Sequence, residues 1–205
     1  MQTIEKESAA SVNWQLKGAF LLNPELRQKA QEVLENTAFP TTRTEAWKYT
    51  RVAKIKNSSL AVQENPVSLS GSFGLSENSI QYVFVNGLFS EALSSKSYPD
   101  GVKILPLSRM DEAETRVLGG NVPLDGEVFS SINTAYTTDG LYVHVSAKMQ
   151  IKPVIEIIQI NTNTNILSNL RHVLVAEAFS EVQFIQRSIS VNGSDNFTNV
   201  ISEIH

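Results

Sequence analysis

His144, His172 and His205 are the only imidazoles in a chain of 205 residues, and there is no cysteine. Without thiols, these residues cannot form a disulfide scaffold, a thiolate nucleophile, a Cys-ligated zinc site or a Cys-ligated iron–sulfur cluster. His144 and His172 alternate with apolar neighbours in Leu141–Val145 and Arg171–Val175. That is the pattern of strand residues on an outer face, or of histidines satisfied in a core. Neither has a second ligand at the close spacing a metal motif needs. His205 is the last residue and defines no motif.

Glu156, Glu177, Glu181 and Asp195 would matter as the acid and base of a carbohydrate-cleaving enzyme, or as calcium ligands. No two of them form a local signature, and a solvated outer face is the expectation for all four. Gly119-Gly120 lacks the lysine and helix start of a phosphate-binding loop, and no nucleophile elbow is present. The densest charged run is Arg43, Lys48, Arg51, Lys54 and Lys56 against the single acid Glu45, with Trp47 and Tyr49 interleaved. Bases could stack on such a run. Its other reading is a short amphipathic helix whose aromatics pack on the body while its charges stay solvated.

Charge favours the second reading. Residues 1–60 hold nine basic and six acidic side chains, net +3, and residues 61–205 hold eight and fifteen, net -7, giving -4 overall. A general nucleic-acid binder would be strongly basic, so no nucleic-acid partner is expected. With 41% hydrophobic residues, the chain is not compositionally disordered. No apolar run approaches the length of a membrane span, and Met1–Ala10 lacks the apolar stretch of a secretory signal. A cytoplasmic protein with no membrane partner is expected.

The elements that must position these residues change character along the chain. Val plus Ile number 13 in the first 120 residues and 21 in the last 85, which places the strands late. Asn23-Pro24-Glu25 offers a cap, a helix-starting proline and a first-turn acid. Leu26, Ala30, Val33 and Leu34 follow on one face, and Phe39-Pro40 stops the helix. Thr42 and Glu45 have capping-box spacing, predicting a second short helix that carries Trp47. Trp14, Leu16 and Phe20 are assigned to a further short helix.

From Ile80 the period becomes that of strands. Tyr82–Val85 runs into the turn Asn86-Gly87, Phe129–Tyr136 is ambiguous, and Asp139-Gly140 reads as another turn. Leu141–Val145, Val154–Ile160, Val173–Val175, Val182–Phe184, Ile189–Val191 and Val200 then alternate with polar segments such as Asn161–Asn165 and Asn192–Asn196. No crossover helix fits between them, which leaves a sandwich of hairpins or a parallel β-helix. The adjacent Ile157 and Ile158 look like a bend and favour the β-helix. The expected division is a helical region with linker over 1–78 and a β-rich region over 79–205.

The segment Phe39-Pro40-Thr41-Thr42-Arg43-Thr44-Glu45-Ala46-Trp47-Lys48-Tyr49-Thr50 closely resembles the N-terminal signature of the SufB/SufD family, in its SufD form. Val83–Gly87, Ile132–Tyr136 with Asp139-Gly140, Lys152–Ile157 and Arg171–Ala178 match in the same order. The resemblance implies an incomplete right-handed parallel β-helix preceded by a small helical N-terminal region. It also implies a non-catalytic scaffold subunit of a SufB–SufC–SufD complex of the SUF system, supporting iron acquisition and iron–sulfur cluster assembly. SufC would dock through a C-terminal part not represented in this sequence. The cluster would form on the complete complex, with no cofactor, catalytic or metal residue in this portion. Arg43, Glu45, Trp47, Lys48 and Tyr49 match the signature as structural or interaction residues. An open last coil around Val200–His205 would offer a site for self-association. A β-helix carbohydrate-active enzyme and a generic protein-binding β-solenoid remain the alternatives.

Overall fold

The computed structural model describes residues 8–16, 23–191 and 195–205. Helix α1 (Pro24–Asn36) forms as its local signals dictate. The Asn23 side chain accepts from the Glu25 amide, Pro24 opens the helix, and the chain turns extended at Thr37. Ala30 and Leu34 are buried, and the helix packs on α4 (Val128–Ala135). Phe129–Tyr136, undecided from sequence, is thus mostly helical.

The expected helix around Trp14 does not form. Gln15 instead bridges Ala61 in parallel, with its amide donating to Leu60 and its carbonyl accepting from Val62. Trp14 and Leu16 therefore sit in extended chain, and Phe20 lies outside the described residues. The second short helix reduces to a single 3-10 turn at Glu45–Trp47, followed by α2 (Ala53–Lys56). Thr42 caps nothing. The capping box lies at Asp111 and Glu114, which open α3 (Glu112–Thr115).

Among the described residues the strands are β1 (Ile80–Val85), β2 (Leu88–Phe89), β3 (Val102–Pro106), β4 (Asp139–Val145), β5 (Ile155–Asn161), β6 (Leu167–Ala176), β7 (Phe184–Ser190) and β8 (Phe197–Ile204). They form two mixed four-stranded sheets, in the orders β2-β1-β5-β7 and β3-β4-β6-β8. Each sheet opens with an antiparallel pair, β1 with β2 and β3 with β4, and continues in parallel. The connection from β4 to β6 is the strand β5 of the opposite sheet, which explains why no crossover helix was legible.

This architecture overturns the expected right-handed parallel β-helix, incomplete or otherwise. The described strands form two mixed sheets rather than a solenoid, and helices α3 and α4 intervene between β3 and β4. Ile157 and Ile158 mark no bend. Both lie within β5, where every residue is buried. Ile155 and Ile157 face the space between the sheets, while Ile158 and Ile160 face Val67, Leu69 and Phe73 of the chain that covers the sheet's outer side. A strand buried on both faces reads as a continuous apolar run.

Asp139-Gly140 is likewise no turn but the start of β4. A Cβ on Gly140 would lie 1.6 Å from the carbonyl oxygen of Arg171, so the glycine permits close approach of β6. Asn86-Gly87 does form the predicted turn, with φ of 51° and 84°. Of the polar segment Asn192–Asn196, residues 192–194 lie outside the described residues.

The main core lies between the sheets and joins Ile80, Tyr82, Phe84, Ile155 and Ile157 to Ile104, Leu141, Val143, Val145 and Leu170. A second core unites Trp14, Ala30, Leu34, Phe39, Val52, Leu60 and Val62 with Val128, Ile132 and Leu167. It anchors the segment that carries the signature.

Candidate interaction site

The signature is fastened to the body by its aromatics. Phe39 is buried and packs edge-on against Trp14 at 6.0 Å and Phe129 at 5.7 Å. Trp47 sits 5.2 Å from Phe129, which in turn meets Phe197 at 5.8 Å. These contacts cross from the early chain to α4 and β8, and such pairs contribute on the order of 1 kcal/mol each beyond the apolar area they bury.

Between Phe39 and Val52 the backbone is ordered by threonine. The Thr41 amide donates to Thr44 Oγ1, the Arg43 amide donates to Thr41 Oγ1, and the Thr44 amide donates to the Thr41 carbonyl. Further turns run from Trp47 to Thr44, Lys48 to Glu45 and Thr50 to Trp47. The result is a fixed ridge with Arg43, Glu45, Lys48, Tyr49 and Arg51 exposed and Trp47 half-buried. Tyr49 is 91% exposed, with Lys48 Nζ 5.4 Å from its ring centre. Lys54 pairs with Asp195 at 3.1 Å. Sequence reasoning thus placed Arg43, Glu45, Lys48, Arg51 and Lys54 correctly in solvent, while Lys56 is half-buried; it packed Tyr49 onto the body, and the structure does not.

Two hollows flank the ridge. One, of about 710 Å³, is lined by Asn36–Pro40, Thr41, Arg43, Trp47 and Glu127 among others. The other, of about 430 Å³, is lined by Ala38–Thr42, Arg51–Ala53 and Lys56.

The other titratable candidates are dispersed. His144 Nε2 lies 2.9 Å from Glu177 Oε1, and Glu177 Oε2 accepts from the Ala147 amide. That amide and the histidine hold the Glu177 carboxyl below its ordinary range. His172 is a core residue: its Nδ1 accepts from the Leu141 amide at 3.2 Å, and its Nε2 has no partner. Burial pushes its pKa down to about 4.

Glu156 departs from the expected solvated face, being 1% exposed. Both its oxygens accept from the Leu75 amide at 3.0 Å, and Arg187 lies 3.6 Å away. Burial opposes its ionisation, but hydrogen bonds from Ser79, Leu75 and Ser76 with the Arg187 charge outweigh it and hold the carboxyl below its usual range. Its task is to pin the chain that covers the outer face of β5. Asp195 is committed to Lys54.

Sequence reasoning missed a buried carboxyl and a buried ion pair. Asp139 accepts from the amide and hydroxyl of Ser108, and burial raises its pKa. Arg171 and Glu203 form a fully buried ion pair. The only signal for the latter was an arginine inside an apolar strand pattern. Among the described residues, no three His, Asp or Glu side chains converge in a way that could hold a metal ion. No described helix is long and apolar enough to cross a membrane.

Comparison with known proteins agrees with the signature. The chain is 28% identical over 198 residues to an iron–sulfur cluster assembly SufBD family protein of Synechocystis sp., a match covering 87% of this chain and 44% of that relative. The chain therefore spans less than half the relative's length. Residues 12–160, well over half of the chain, match the SufBD protein N-terminal region, and the chain belongs to the SufBD family.

Proposed function

We propose that this chain serves iron–sulfur cluster assembly as part of a non-catalytic scaffold subunit of SufD type, in a cytoplasmic complex with SufB and SufC. The observation that carries this reading is the family match over residues 12–160. The curated relative, itself named for cluster assembly, supports it. The iron–sulfur cluster is the cargo of the whole complex, and its ligands are assigned to no residue of this portion. Arg43, Glu45, Trp47, Lys48 and Tyr49 act here in structure and partner contact. The edge strands β7 and β8 support a further contact, with a second copy of the chain.

Co-purification tests the reading. The full-length product, expressed with tagged SufB and SufC, is expected to elute with both at fixed stoichiometry. Elution without them overturns the assignment.

A further inference from the structure

Trp47 and Tyr49 lie two residues apart and meet opposite environments. Trp47 is clamped on Phe129, whereas Tyr49 is almost fully in water on a backbone that successive turns hold in place. An ordered segment that displays Tyr and Arg while a neighbouring Trp fixes it has the composition of a binding hot spot. Arg43 and Arg51 have no ion pair among the described residues. Arg43 lines one of the two hollows and Arg51 the other, and the hollows share Ala38–Thr41 as a common wall.

The geometry points to this face as the seat of a short, extended acidic segment of a partner protein. Its carboxylates meet Arg43 at one hollow and Arg51 at the other, and an apolar side chain between them lies against Pro40, which lines both hollows. Charge selects this occupant. The first 60 residues carry net +3 and the remainder net -7. The net charge of -4 on the whole chain disfavours a long polyanion or an anionic membrane, whereas a short peptide needs only the local charge of the ridge. Glu127, which lines the larger hollow, and Glu45, on the ridge itself, restrict the partner's carboxylates to the arginine positions. Arginine suits them because its planar fork engages a carboxylate through two parallel hydrogen bonds.

The inference rests on the complex proposed above, and one experiment separates the two. In the full-length protein assembled with SufB and SufC, Tyr49→p-benzoylphenylalanine places a photo-crosslinker on the ridge. The same replacement at Leu75, 61% exposed, serves as the control. Illumination is expected to join position 49, and not position 75, to an acidic stretch of a partner, identified by peptide mass. Arg43→Glu with Arg51→Glu should abolish the crosslink and weaken association about tenfold or more, with thermal unfolding unchanged. A complex that forms but crosslinks at 49 to nothing, or to a stretch without carboxylates, overturns the inference and leaves the complex standing. Failure of the complex to form overturns both. Tighter binding of a single-stranded oligonucleotide or of phosphatidylserine vesicles, lost in the double variant, also overturns it.

Discussion

Arg171 Nε donates to Glu203 Oε1 at 2.6 Å, with both side chains fully buried. The pair joins β6 to β8. Each Glu203 oxygen also accepts from the Gly119 amide, and Arg171 Nη1 donates to Thr134 Oγ1. Gly119 and Thr134, 84 and 37 residues before their respective partners, are thereby locked onto one strand pair. Removing either member leaves the other charge buried without compensation. Arg171→Met and Glu203→Gln are each expected to cost about 3–5 kcal/mol in urea unfolding. The double variant should fall short of their sum by about 2 kcal/mol. Additive losses would show that the two groups are stabilised independently.

Gly140 lies under the same strand. Its missing Cβ leaves room for the Arg171 carbonyl, and because the atoms it would meet are all Arg171 backbone, no flexible side chain is there to yield. Gly140→Ala should cost about 3 kcal/mol or more, by overpacking. Gly126→Ala is the comparison: its φ is +77° but a Cβ there meets nothing within 4 Å. That substitution carries only the conformational penalty of about 1 kcal/mol. Equal losses at the two sites would refute the close-approach account of Gly140.

These features define what could be read from the chain. Helix α1 was legible because Asn23, Pro24 and the buried Ala30 and Leu34 act within one element. The strand residues were legible because Val and Ile mark pleated surface wherever it falls. What joins strands was not legible. The Arg171–Glu203 contact spans 32 residues, and a polar residue in an alternating strand looks like outer face until the chain that covers it is known. The same long-range covering buries Glu156 and lets Ile157 and Ile158 imitate a bend. Gly140 looked like a turn because glycine marks close approach and reversal alike. Tyr49 failed for the opposite reason: an aromatic beside a packed tryptophan was expected to pack too.

His172 gives the fold a defined response to acid. Its pKa falls from 6.5 to about 4 on burial, so the unfolded chain takes up a proton in that window while the folded chain does not. Stability is fully present above about pH 6.5 and is lost as pH falls toward 4, by up to about 3 kcal/mol. His172→Gln removes this component, and its unfolding free energy should vary less steeply than the parent's between pH 4 and 6.5. Parallel pH profiles for the two proteins would refute the assignment.

The ridge separates structure from contact at adjacent positions. Trp47→Ala removes the ring that packs on Phe129 and should cost about 2 kcal/mol, below the range for a fully buried tryptophan because the ring is only half covered. Tyr49→Ala exposes nothing new, so its stability should stay within about 0.5 kcal/mol of the parent. A large loss for Tyr49→Ala in chemical unfolding would mean that the ring is a packing residue after all.

Strands β7 and β8 lie at the same side of their sheets, and no described strand pairs beyond either. Ile185 and Ile204 on them are 37% and 67% exposed. Between them opens a small hollow of about 140 Å³ lined by Phe184, Gln186, Ser202 and Ile204, with His172 at its wall. Unpaired edge amides and carbonyls beside exposed isoleucines form a template for another strand. The 205-residue chain is therefore expected to self-associate in sedimentation velocity as its concentration rises. Ile185→Lys with Ile204→Lys should return it to monomer, because a charge on an edge strand opposes strand addition. The ridge variants Arg43→Glu and Arg51→Glu should leave this association intact, since neither residue lies on β7 or β8. A chain that stays monomeric at every concentration would show that these edges are closed to pairing as they stand.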